Sequence, residues 1–196
     1  MYAPRPLLRR AFGAACAALA LFAAVPASSA SPAADPAKTM RVAMAIAETS
    51  FDPAFASDAA SDAIIANIFE TLVDYDYLAR PVQLVPVTAE AMPTVGDGGR
   101  SYTFRIRKGI LFTPDPAFKG KPRELTAADY AYSFKRILDP AVKSPWLWLL
   151  DGKLVGGDEA RAQAQKAGRF DYDAPLPGLE VVDRHTLRIR LKAPDY

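Results

Sequence analysis

Cysteine is almost absent from this sequence: among 196 residues Cys16 stands alone, inside an N-terminal apolar run. The chain beyond that run can form no disulfide, offers no thiolate to a metal and has no cysteine nucleophile. Histidine is equally scarce. His185 is the sole candidate base for a Ser-His-Asp arrangement, and it sits in "DRHT", a turn between two strand-like runs where exposure alone accounts for a polar residue. Carboxylates are plentiful, among them Glu48, Asp52, Asp58, Asp62 and Glu70, yet no pair has a spacing diagnostic of general acid/base work or of a calcium loop. Nor is there a long membrane-spanning run. The longest apolar stretch, Ala11 to Ala27, is 17 residues, mostly alanine, and contains Gly13 and Pro26, whereas a spanning helix needs about 20 strongly apolar residues.

That stretch has the build of a cleaved secretory leader. Arg5, Arg9 and Arg10 precede it, and the small residues Ser28, Ser29 and Ala30 follow as a cleavage site, so residues 1–30 are expected to be a signal peptide. Arg9-Arg10 leaves the twin-arginine route open beside the general one. The residues before Cys16 lack the leucine of a lipid-attachment site, and the apolar run continues past it. Cleavage removes three of the 24 basic residues and none of the 22 acidic ones, leaving a formal charge of −1. A surplus of basic residues to neutralise phosphates is therefore missing, and nucleic acid is not an expected partner.

With 51% of its residues hydrophobic and 23% charged, the whole chain has globular composition. A Pro/Ala/Ser tether, Ser31 to Ala37, leads to an expected strand over Arg41 to Ala47 and a turn at Asp52-Pro53. Ile64, Ile65, Ile68, Phe69 and Leu72 then recur at helical spacing, with Ser57 or Asp58 as the cap. Leu84 to Met92, punctuated by prolines, reads as edge pieces or loop. "GDGG", Gly96 to Gly99, is followed by a strand and not by a helix, so it reads as a hairpin turn and not as a phosphate cradle. In the strand after it, Tyr102, Phe104 and Ile106 share a face opposite Ser101, Thr103, Arg105 and Arg107. Aromatics sharing a face with isoleucine belong to a core, not to a platform for stacking bases.

The segment "LTAADYAYSFKRILDP" declares both ends of a helix. Thr126 caps it with Asp129 three residues on, Tyr130, Ala131, Phe134, Ile137 and Leu138 make its apolar stripe, Lys135 and Arg136 suit its negative end, and Asp139-Pro140 stops it. "SPWLWLLDG" carries both tryptophans; two close indoles suggest a buried cluster, and a tryptophan beside a cleft also supplies an apolar wall with one N–H donor. "GGDEARAQAQKAG" reads as a solvated helix between glycines. The last stretch reads as two strands around Asp183 to His185. "TFRIR" from Thr103 and "TLRIR" from Thr186 echo each other as shared strand grammar.

Taken in order, "FDP", "IFETLVDYD", "GDGGRSYTFRIRKGILF", "LTAADYAYSFKRILDP", "SPWLWLL" and "LEVVDRHTLRIRLKAPDY" resemble the opening of the family 5 extracellular solute-binding proteins, the oligopeptide and dipeptide receptors of ABC importers. The resemblance implies an α/β periplasmic-binding-protein fold of type II. Residues 31–70 would begin its first lobe, and 71–196 would form an inserted accessory α/β domain with a mixed or antiparallel sheet. It implies a monomer that works without cofactor, binds a small peptide and delivers it to a membrane permease, touching the membrane only through that transporter. Carried over by position, Ser57, Asp58 and Ala59 would contact ligand backbone, and Trp146 would line the cleft. The chain departs from relatives in having Ser57 where an acidic residue occurs and tryptophan in place of tyrosine at 146. Nickel chelates, opines and oligosaccharides are alternative ligands of the same architecture, and a secreted hydrolase using His185 is the alternative from another class. Family members are much longer, so an N-terminal fragment without the second lobe is expected.

Overall fold

The computed structural model describes residues 37–195; the leader, Cys16 and most of the tether lie outside them. The chain divides into two units, Met1–Ala43 and Met44–Tyr196. Of the first, residues 37–43 are described and carry no strand or helix. The second holds α1 (Ala59–Ile65), β1 (Val73–Tyr75), β2 (Leu84–Pro86), β3 (Thr94–Gly96), β4 (Ser101–Arg105), α2 (Ala127–Leu138), α3 (Gly157–Ala167), β5 (Leu179–Asp183) and β6 (Thr186–Arg190). Strands β1 and β2 form an antiparallel pair, and the other four form an antiparallel sheet in the order β3-β4-β6-β5.

The two echoing pentapeptides are neighbours at the centre of that sheet. Thr103 pairs with Arg188, Phe104 with Leu187, and Arg105 with Thr186. Paired residues of an antiparallel ladder share a face, so alternation in each strand is reinforced by the other. Inside, Ile106 and Leu187 are fully buried and Phe104 packs against them, joined by Leu72, Ala89 and Ala131. Burial of Ile106 and of Leu187 contributes about 1.5–3 kcal/mol each. Tyr102 is only half-buried, its hydroxyl donating to the Asp195 carbonyl at 2.8 Å. On the outer face Arg188 donates to Glu180 at 3.2 Å and to Thr103 Oγ1 at 3.3 Å, and Arg190 donates to Glu180 at 2.7 Å. Arg105 and Arg107 are exposed, Arg107 donating to the carbonyls of Ala89 and Pro86 at 3.1 Å each, so the arginines of the alternating stretch belong to a wet surface.

Helix α2 lies across the two hydrophobic clusters because its stripe is long enough to serve both. Ala131 joins the first, Leu138 joins the second with Leu150, Leu154, Leu176 and Leu179, and Phe134 packs against each. At its start Asp129 Oδ2 accepts from the Thr126 N–H at 2.8 Å and from the Thr126 hydroxyl at 2.9 Å. At its end the buried Asp139 carboxylate accepts from Ala141 N at 2.9 Å and from the Tyr172 hydroxyl at 2.7 Å. Burial, then this bond to Asp139, pushes Tyr172 well above the usual phenol range. Gly156 and Gly168, both with positive φ, bracket α3 as the sequence suggests.

Two expectations are corrected. No strand forms over Arg41 to Ala47: no described strand pairs with it, and Met40, Val42, Met44 and Ile46 are exposed. An alternating apolar pattern becomes a strand only when a neighbour takes up its N–H and C=O groups. Helix α1 also stops well short of Leu72. The Asn67 side chain takes the Ala63 carbonyl at 2.7 Å, and Asn67 and Ile68 donate three residues back, to Ile64 and Ile65. Leu72 is drawn away to accept from Val87 and Ala89 at 3.0 and 3.1 Å, which leaves Ile68 and Phe69 in solvent.

Candidate functional site

The positions expected to touch ligand lie on the loop from Thr49 to Asp58, at Ala59 where α1 begins, and on the turn that follows α2. Asp52 builds the loop: its carbonyl accepts from Phe55 N at 3.0 Å and Ala56 N at 2.9 Å, and its carboxylate accepts from Ala54 N at 3.0 Å. Asp58, in extended conformation, caps α1 by accepting from Ser61 N at 2.8 Å. Its other oxygen accepts from the Ser61 hydroxyl at 2.6 Å and the Thr49 hydroxyl at 2.5 Å. Ser61 is fully buried and its oxygen accepts in turn from Thr49 N at 2.9 Å. These hydroxyl bonds, Ser61 first, hold the Asp58 carboxyl far below the usual carboxylate range.

The structure brings Trp146 to this loop. Its Nε1–H donates to the carbonyl of Ala56, next to Ser57, at 2.9 Å. The indole therefore spends its donor on the protein and has only its ring to offer a ligand, which corrects the expectation of a free donor. The buried tryptophan pair does not form either: Trp146 is half-buried and Trp148 is 62% exposed. Ser57 and Ala59 are exposed, while Asp58 points inward to its cap. Of the four positions, two face solvent, one is a structural cap and one is an anchored ring.

Two residues that hold this site escaped the sequence reading. Arg136 reaches from the last turn of α2 to Asp52, Nη1 to Oδ1 at 2.7 Å and Nη2 to Oδ2 at 2.5 Å. Its guanidinium holds the Asp52 carboxyl below its ordinary value, and the carboxylate raises Arg136 in return. The sequence suggested only that Lys135 and Arg136 complement the helix dipole. In fact Lys135 Nζ donates to the carbonyls of Tyr172 and Ala174 at 2.7 and 2.8 Å. The Asp-Pro turn and a cation in the last helical turn were the available signals, but nothing local pairs residues 84 apart.

His185 has a structural place. Its Nε2 lies 3.2 Å from Glu124 Oε1, and Glu124 also accepts from Gly109 N at 2.8 Å and Arg184 at 3.0 Å. The Gly109 N–H, then Arg184 and His185, hold the Glu124 carboxyl down at about 2. Glu124 and Arg184 also line a surface hollow of about 410 Å³, which includes none of the expected ligand residues. Four of its charges pair with one another, Arg184 with Glu124 and Arg123 with Asp129. Among the described residues no group of histidine and acid side chains is placed to hold a metal, and no helix is long and apolar enough to cross a membrane.

Residues 83–196 match the family described as bacterial extracellular solute-binding proteins, family 5 (middle). The chain belongs to this family. Among its relatives, di/tripeptide-binding protein 2 of Pseudomonas aeruginosa is 34% identical over 178 residues, which is 90% of this chain and 30% of that protein. Heme-binding protein A of Haemophilus influenzae is 30% identical over 146 residues, 74% of this chain and 24% of the relative. The solved Escherichia coli murein tripeptide binding protein MppA superposes with a TM-score of 0.55 at 30% identity, over 76% of this chain and 26% of that one. The fold of this family 5 chain is accordingly α/β of the type II periplasmic-binding-protein kind. It spans about a third or less of the length of these relatives. The family is one of substrate-binding proteins whose relatives include periplasmic ones.

Proposed function

We propose that this protein is the substrate-binding component of an ABC importer, capturing short peptides in the periplasm and handing them to a membrane permease without chemistry of its own. One observation carries the reading: 34% identity to a di/tripeptide-binding protein is sustained across 90% of the chain. Residues 1–30 serve export, residues 31–70 begin the first lobe, and residues 71–196 make up the accessory domain. In support of that division, the four-stranded sheet and both hydrophobic clusters draw only on residues from Leu72 onward.

The ligand contacts in this part of the protein are the exposed main chain around Ser57 and Ala59 and the ring of Trp146. Asp58 acts by capping α1. Main chain presented beside an apolar ring suits an extended peptide whose sequence varies, because every peptide carries the same backbone donors and acceptors. The protein works as a monomer, and closure of a hinge around the ligand is the expected motion.

The test is calorimetry on the full-length protein with di- and tripeptides, haemin, nickel chelates, opines and oligosaccharides in one panel. Peptide binding with no response to the others is the expected result. Binding of haemin, a chelate, an opine or a sugar with none of a peptide overturns the peptide reading. Peptidase or esterase activity that disappears in His185→Ala overturns the binding-only reading.

A further inference from the structure

Residues 52–56 form a turn closed by its own hydrogen bonds, Phe55 N and Ala56 N to the Asp52 carbonyl and Ala54 N to its carboxylate. Two side chains fasten that piece. The Arg136 guanidinium grips Asp52 through its two terminal nitrogens, and the Trp146 indole N–H holds the Ala56 carbonyl. The segment between the fasteners has its own hydrogen bonds: α2 ends at Asp139, whose carboxylate accepts from Ala141 N, and the Ser144 hydroxyl accepts from Trp146 N at 3.2 Å. A two-pronged guanidinium–carboxylate contact fixes orientation as well as distance, which a lysine ammonium cannot do.

We infer that the Asp52–Arg136 fork is a positioning device: it sets the main chain at Ser57–Ala59 against the Trp146 ring, and so controls ligand affinity through a pair that itself touches no ligand. The inference rests on the proposed ligand contacts at those residues. Its physical basis is that the Asp58 carboxylate is turned inward, so this loop meets a ligand through main-chain groups, whose hydrogen bonds weaken steeply with misalignment. A loop released from α2 would also have to be ordered at the moment of binding, at the expense of affinity.

The experiment uses the full-length protein and the variants Arg136→Lys and Asp52→Asn, the second keeping the shape of the side chain in case the first does not fold. Three quantities are read: dipeptide and tripeptide affinity, hydrogen exchange at the Phe55 and Ala56 amides, and the indole N–H resonance of Trp146. Each variant should weaken every peptide by about tenfold, mainly through faster dissociation, without reordering them. Exchange at the two amides should quicken and the indole resonance should move. A side chain with a merely structural role would lower the melting temperature and leave that resonance and the affinities in place. Unchanged affinity in a folded variant overturns the inference alone. A wild-type protein that binds no peptide overturns the function reading, and the affinity claim with it.

Discussion

Alanine in place of Gly178 probes the closest backbone approach around the second hydrophobic cluster. A Cβ at this position would lie 2.5 Å from the Val155 carbonyl oxygen, 2.7 Å from Leu154 Cγ and 2.8 Å from Leu154 Cδ1. The carbonyl cannot simply swing aside, because Val155 N donates to Arg190 O at 3.1 Å while Arg190 N donates to Gly178 O at 2.9 Å. The three residues form one hydrogen-bonded knot, and an added methyl must push it apart. Overpacking of this kind costs about 1–3 kcal/mol, which corresponds to a roughly 5- to 150-fold change in a local opening equilibrium. Native-state hydrogen exchange at the Val155 and Arg190 amides reads that equilibrium directly. Gly96→Ala is the control, since a Cβ there would meet only the Ser101 side chain at 3.8 Å, an ordinary contact, and those two amides should not respond. Leu154 is fully buried, so Leu154→Ala alone costs about 2–5 kcal/mol. Combined with Gly178→Ala it should cost less than the sum, because it removes two of the three close contacts. Wild-type protection in Gly178→Ala, or strict additivity in the pair, would refute this account of the packing.

Loss of the acceptor in Asp129→Ala leaves both the N–H and the hydroxyl of Thr126 without their partner at the start of α2. It should lower stability by about 1 kcal/mol, measured as a fall in the thermal midpoint; an unchanged midpoint would show that the box is ornamental. Glu124 supplies a pH test. Its carboxyl is lowered from 4.5 to about 2 in the folded protein, so the folded state favours the ionised form. Its contribution is fully present above pH 4.5 and fades as the pH falls toward 2. Glu124→Gln should therefore destabilise at pH 7 and differ little from wild type near pH 2. An equal difference at both ends would contradict the assignment.

What the sequence made legible was what local rules decide. The cap at Thr126, the stop at Asp139-Pro140, the "GDGG" hairpin and the alternation around Ile106 each depend on residues within one element. Each is found, with positive φ at Asp97, Gly98 and Gly99 in the turn. The echo of "TFRIR" and "TLRIR" reflected two strands under the same demand, apolar inside and polar outside, which the sheet places side by side. Local rules failed wherever the deciding partner was distant. Arg41 to Ala47 has a strand's pattern but no strand to pair with among the described residues, and Ile68 and Phe69 have a helix's spacing beyond the point where Leu72 is pulled toward Val87 and Ala89.

The candidate site shows the same limit in sharper form, and it also shows why a binding loop would be built this way. Around residues 49–61 the buried apolar side chains are only alanines, Ala54, Ala56 and Ala60, while Phe51 and Phe55 are exposed. The loop is held instead by Thr49, Ser61, Asp58, Asp52, Arg136 and Trp146 through directed hydrogen bonds. Apolar burial is nearly indifferent to direction and fixes mainly how much surface is covered. A hydrogen bond fixes where an atom sits, and a forked one fixes its orientation too. A main-chain surface that must meet the donors and acceptors of a ligand needs the second kind of restraint. The hydrogen-bonded partners that supply it here lie up to 90 positions apart, so the chain had to fold before they could be recognised as one device.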